Sequence, residues 1–140
     1  MFKISIQSPF TSQPVEHDNC TMDKAAALYQ QIDWEALYIE IENTGDSPES
    51  PFYFYEISKK TGAEGIEGLL ISGCYEDKVM LTYYRPKIER KGFFTKKDVL
   101  NPKFITHMDE VDLDFANTCF LAFISGDINY LEQNMFNTSH

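Results

Sequence analysis

Cys74, Cys119 and His107 are the side chains of this 140-residue chain best equipped for nucleophilic work. A thiol attacks as its thiolate, which needs a base or a positive neighbour, and such partners meet in space and not in sequence. Either cysteine with His107 is therefore a formal Cys–His couple. Cys119 lies in an apolar run, where a small buried thiol is the ordinary expectation. Cys74 follows Gly73 at a strand end and is the more exposed of the two. His17 and Cys20, three apart, resemble half a zinc site, but a closed site needs four ligands, and His107 with Cys119 lacks second-pair spacing. The phosphate loop GxxxxGK[ST] and the dinucleotide fingerprint are absent. The 22 Asp and Glu residues are too many for any chosen pair to mark an acid–base couple. The residues thus indicate no catalytic, cofactor or metal site, and a small hydrolase using Cys74 and His107 remains the enzymatic alternative.

The densest charge is Asp109-Glu110-Val111-Asp112-Leu113-Asp114. Three readings compete. Carboxylates in a first helical turn favour the positive end of the helix dipole, which accounts for one or two of the four. A calcium loop requires Gly at its sixth position, where Asp114 stands. The third reading is a docking surface for a basic partner, joined by Glu40 and Glu42.

These residues need elements to hold them. Phe2, Ile4 and Ile6 alternate with polar residues, which predicts a short strand, followed by a polar loop to Asp18. Asn19 or Thr21 is placed to cap a helix running to about Ile32, with Ala25, Leu28, Tyr29 and Ile32 as its buried stripe. Asp33-Trp34 then turns the chain into residues 37–42. Their period of two predicts a strand with Leu37, Ile39 and Ile41 inward and Tyr38, Glu40 and Glu42 outward. Residues 45–51 are a loop by local signals, and residues 52–57 a strand aromatic on both faces. After a connection marked by Gly62, Gly65 and Gly68, residues 69–71 and 79–84 form a hairpin across 76–78. Residues 86–102 read as irregular and basic, and 104–106 as an edge strand. Asp112 or Asp114 caps a second helix carrying Leu113, Ala116, Phe120, Leu121, Phe123 and Ile124, stopped by Gly126. The expectation is a single α+β domain, a mostly antiparallel sheet of five to six strands with two main helices packed on it.

Charge is distributed unevenly along this order. Residues 1–58 carry ten acids and two bases, 59–106 ten bases and six acids, and 107–140 six acids with no Lys or Arg. The total is −10, which argues against nucleic acid as the main partner. The basic stretch, with Arg85, Lys87, Arg90, Lys91, Lys96, Lys97 and Lys103 around Phe93-Phe94, reads as a solvated loop, a partner contact, an internal partner of the acidic ends, or a single-strand track. No signal-peptide core and no apolar run of membrane-spanning length occurs, and three cysteines without a CxxC pair suggest no disulfide framework. The expected compartment is the cytoplasm. Eleven Phe, eight Tyr and one Trp exceed what so small a core readily hides. Tyr38, with Tyr53 or Tyr55 on the next strand, would anchor an acidic surface, unless the sheet is covered on both faces.

The stretch Phe120-Leu121-Ala122-Phe123-Ile124-Ser125-Gly126-Asp127-Ile128, an apolar helix ending in Gly-Asp, resembles the small acidic immunity proteins that protect bacteria from polymorphic toxins, including those of contact-dependent growth inhibition. Trp34 ahead of the acidic segment is a weaker echo. The resemblance implies a protein without catalytic residues or cofactor that binds a cognate toxin domain, often a basic nuclease; charge and the lack of an apolar run argue against nucleic acid and membrane as partners. The contacts expected are Tyr38, Glu40, Glu42, Asp109, Glu110, Asp112 and Asp114. A non-catalytic adaptor binding another basic partner is the alternative.

Overall fold

The computed structural model describes residues 1–9, 11–44, 53–62, 65–75, 77–92 and 97–138. Six strands form one antiparallel sheet: β1 (Phe2–Gln7), β2 (Val15–Cys20), β3 (Phe54–Thr61), β4 (Gly65–Gly73), β5 (Lys78–Lys91) and β6 (Lys97–Asp112), in the order β2-β1-β3-β4-β5-β6. The helices are α1 (Met22–Gln30), α2 (Trp34–Thr44), α3 (Leu113–Ser125) and α4 (Ile128–Asn134). The α+β class is as the sequence implies.

Alternation builds one buried face. Ile4, Tyr55, Ile57, Leu69, Ile71, Val79, Leu81 and Tyr83 are all 1% exposed or less. Helices α1 and α3 cover this face with stripes spaced three and four apart. The stripes meet at a cluster of rings: Tyr29 stacks on Phe120 at 4.1 Å between centroids, and Tyr55 meets both edge-on at 5.3 and 5.6 Å. Their hydroxyls are satisfied, since Tyr29 donates to Asn117 Oδ1 (2.6 Å) and Tyr55 to the Ala25 carbonyl (2.9 Å). Thr21 caps α1, its hydroxyl accepting from the Lys24 N–H, and Gly126 ends α3 in the left-handed conformation. Leu121, one of the apolar residues that the sequence places on this helix, is exposed.

Four sequence expectations are corrected. Residues 34–44 are helical, not a turn followed by a strand. Asp33 Oδ1 accepts the Ala36 N–H at 3.0 Å and the Leu37 N–H bonds to the Asp33 carbonyl, a capped first turn. Trp34, Leu37, Tyr38 and Ile41 form the helical spacing that wins over the two-residue alternation. Trp34 is buried against Tyr53, while Ile39, expected inward, is 38% exposed. The polar loop after Ser8 contains β2, an edge strand so exposed that it lacks an apolar alternation. Gly65 and Gly68 lie inside β4, not in a connection. A side chain at Gly68 would meet the Tyr84 ring at 2.1 Å, so the missing Cβ lets that ring lie flat on the backbone. The fourth correction concerns residues 86–102, whose described part is strand except for Gly92: β5 and β6 extend as a two-stranded ribbon beyond β4, and the edge expected at 104–106 spans all of β6. Alternating Lys and Arg conceal a strand because neither face is apolar. The loop expected at 45–51, Phe52 of the next strand, and Phe93-Phe94 lie outside the described residues.

Candidate functional site

The sheet has two chemically opposite ends. At the first, β4 leaves at Gly73, β5 enters at Lys78 and β6 finishes at Asp112, so Asp77, Glu110 and Asp112 surround the Lys78 ammonium. The hydrogen bond from Lys78 to Asp112, with the charges of Asp112, Asp77 and Glu110, raises the lysine above its ordinary value despite the opposing effect of desolvation. Asp112 is also the N-cap residue of α3, but its side chain makes no cap bond because it is turned to Lys78. Asp114 lies exposed in the first turn, where it favours the helix dipole. Only this member and Asp112 fit the helix-dipole reading; Asp109 and Glu110 belong to β6.

Asp109 is half-buried and engaged. Its Oδ1 meets His107 Nε2 at 2.9 Å, its Oδ2 accepts from the Thr138 hydroxyl, and its own N–H donates back to that hydroxyl. With Thr138 N–H on the His107 carbonyl and His107 N–H on Asn137 Oδ1, the C-terminal tail closes the outer edge of β6. Asp109 therefore anchors the tail.

Tyr38, Glu40 and Glu42 sit on α2. The outward strand face expected to align them does not exist: at about 100° per residue Tyr38 and Glu42 share a side and Glu40 points elsewhere. Glu40 and Glu42 are exposed, and Tyr38 is half-buried with its ring 6.5 Å from Tyr75 in the β4–β5 connection. Tyr75 follows Cys74, and Cys74 lies within the field of Glu110 and Asp109. So α2 and the end of β6 reach the same corner of the molecule through Tyr38, Tyr75 and Cys74. Tyr53 and Tyr55, expected as surface anchors, are instead buried.

The same corner weighs on the nucleophile reading. Burial, then the charges of Glu110 and Asp109, push the Cys74 thiol above its ordinary range, the opposite of activation. Both ring nitrogens of His107 are taken, by Thr82 Oγ1 at 2.7 Å and by Asp109. Cys119 is buried and its thiol is pushed up to about 12 by desolvation. Among the described residues no group of three His, Cys, Asp or Glu could hold a metal ion.

At the opposite end Lys3, Lys59, Lys60, Arg85, Lys87 and Lys103 gather with the ribbon that carries Arg90, Lys91 and Lys97. Its centre is a network around the buried Arg85, which the sequence does not reveal. Arg85, 7% exposed, makes a two-pronged pair with Glu132 of α4 (2.8 and 3.0 Å) and donates to Thr106 Oγ1 and the Tyr83 carbonyl. The Tyr83 hydroxyl donates to the buried Glu67 at 3.0 Å. Burial alone would raise the Glu132 carboxyl; the bonds and charge of Arg85, helped by Lys87, outweigh it and hold the group below its ordinary value. One signal was present: Arg85 continues the inward alternation of Val79, Leu81 and Tyr83. Among the described residues, Arg85 and Lys87 of the basic stretch pair with Glu132 of the acidic C-terminal part, one of the alternatives the sequence leaves open.

Among the described residues no helix is long and apolar enough to cross a membrane. No family model, curated protein or solved structure matches the chain.

Proposed function

We propose that this chain is a cytosolic immunity protein that binds and neutralises a cognate toxin domain, a basic nuclease, through its acidic corner. The observation that carries the reading is the convergence of Asp77, Glu110 and Asp112 beside Tyr75 and Tyr38, exposed carboxylates next to rings able to anchor an interface. A nuclease must hold phosphates and so presents a basic surface. An acidic corner competes for that surface and covers the substrate path, and its field raises the encounter rate. Glu40, Glu42 and Asp114 extend the corner and Tyr38 supplies apolar area. Asp109 contributes by fixing the strand end on which Glu110 and Asp112 stand.

The test is capture from native lysate with the full chain as bait, followed by stopped-flow association with the captured protein over a salt series. A one-to-one catch of a basic toxin fragment, with association slowed about tenfold or more by salt and dissociation little changed, is expected. Association indifferent to salt would remove the electrostatic account. A basic partner of metabolic or structural type would replace immunity by an adaptor role for the same corner.

A further inference from the structure

Among the described residues the helices cover one face of the sheet and leave the other uncovered. A solvated face of an antiparallel sheet is ordinarily polar, yet this one exposes Ile66 (52%), Ile105 (46%), Leu100 (44%) and Ile88 (66%), with Leu70 and Met80 half-buried among them. The registers place these side chains in rows. Ser5, Glu56, Leu70, Thr82 and His107 form one; Lys3, Ser58, Gly68, Tyr84 and Ile105 the next; Lys60 and Ile66 begin a third. The middle row is small at Ser58 and Gly68 and flat at Tyr84, whose hydroxyl bonds Glu56 Oε2 at 2.8 Å. Beside it lies a groove of about 470 Å³ lined by Lys3, Ser58, Ile66, Tyr84 and Lys103 among others.

We infer that a second copy of this chain covers this face, about a two-fold axis running along the middle row. Rotation about that row exchanges the rows on either side. Lys60 of one copy then faces Glu56 of the other, Ile66 faces Leu70, and Ile105 meets its own equivalent. Lys3, at the β1 end of the axis, meets its own equivalent, with Glu16 at 3.9 Å beside each to offset the charge; elsewhere the face is self-complementary in charge and apolar character, which an isologous interface requires. It suits a polyanion or an anionic membrane poorly, because Glu16 and Glu56 alternate with Lys3, Lys60 and Lys103 across the same surface. The net charge of −10 does not forbid the contact. Carboxylates at the acidic corner lie away from the middle row, and salt screens interactions beyond about 8 Å. This inference is independent of the proposed function, since it concerns a different face and is measured without a partner.

Light scattering on the full chain from about 1 to about 200 µM brackets the Kd of a modest interface. The expected mass rises from 16.2 kDa towards twice that value. Ile105→Glu and Ile66→Glu, both at exposed positions, each weaken association at least about tenfold while a cooperative thermal melt is retained. Glu56→Lys and Lys60→Glu each weaken it singly, and the double swap restores it because the pair is again complementary. A wild-type chain monomeric throughout overturns the inference. So does a dimer indifferent to both isoleucine substitutions, or a folded double swap no tighter than the single variants.

Discussion

The two ends of the sheet carry opposite charge and make opposite use of it. At the basic end the central charge is drawn inside: Arg85 lies under α4, holds Glu132 with two bonds and spends a third nitrogen on Thr106 and Tyr83. At the acidic end Glu110, Asp112 and Asp114 remain at the surface, with one lysine among several carboxylates. A run of charge in a sequence therefore says little about charge on a surface. What matters is whether the strand's alternation turns a given residue inward, where it needs a partner, or outward, where water serves.

The comparison breaks most easily at Glu132. Removing its carboxylate leaves Arg85 buried and uncompensated, and Glu132→Ala is expected to destabilise the fold by about 3 kcal/mol, the low end for buried pairs because water reaches the outer side of the glutamate. Urea unfolding measures it; a midpoint unchanged from wild type would mean that the pair contributes nothing. The pH dependence has a definite sign. Glu132 is lowered in the folded state, so its stabilisation is complete above the unfolded carboxylate pKa and fades as pH falls through the folded value. Between about pH 5 and pH 3 the wild type should lose more stability than Glu132→Gln.

Two glycines sharpen the contrast from the side of packing. A Cβ at Gly73, at the acidic end, would stand 1.8 Å from the buried Tyr53 ring; one at Gly68 would stand 2.1 Å from Tyr84, half-buried beside an open groove. Tyr84 can swing outward and Tyr53 cannot. Gly73→Ala should therefore cost about 2 kcal/mol and Gly68→Ala about 1 kcal/mol, read as thermal midpoints in the same buffer. The reverse order would show that Tyr53 has room the structure does not give it. Next in size is Asp33→Ala, which removes the cap of α2 and should cost about 1 kcal/mol, with a loss of helical circular dichroism.

That last variant bears on what the sequence made legible. The first helix, the third helix with its Gly126 stop, and the central hairpin followed from clean periodicity and caps, because each buries one apolar stripe. Residues 34–44 did not, since Leu37, Ile39 and Ile41 satisfy a period of two while Trp34, Leu37, Tyr38 and Ile41 satisfy a helical one; length and the Asp33 cap decide between them. Strand β2 and the β5–β6 ribbon were hidden because exposed strands have no apolar face to reveal them. At the candidate site, the cluster 109–114 was visible as composition, but the engagement of Asp109 with the tail depends on Thr138, 29 residues away, which no local pattern encodes. The pair of the buried Arg85 with Glu132, 47 residues apart, was hidden for the same reason.

The smallest expected effect on stability is at the acidic end, and it separates the two ends most directly. Lys78 and Asp112 pair at the surface, where water and salt screen the contact. Asp112→Ala should therefore leave the unfolding midpoint close to that of wild type, against a clear drop for Glu132→Ala. The ranking should invert for association with a basic partner. Glu110→Ala combined with Asp112→Ala should slow association several-fold at low salt and much less at high salt, whereas a conservative change at Glu132 should leave it unchanged. If the acidic variants were instead the unstable ones and bound normally, the carboxylates at this end would be structural, and the division of labour between the two ends would fail.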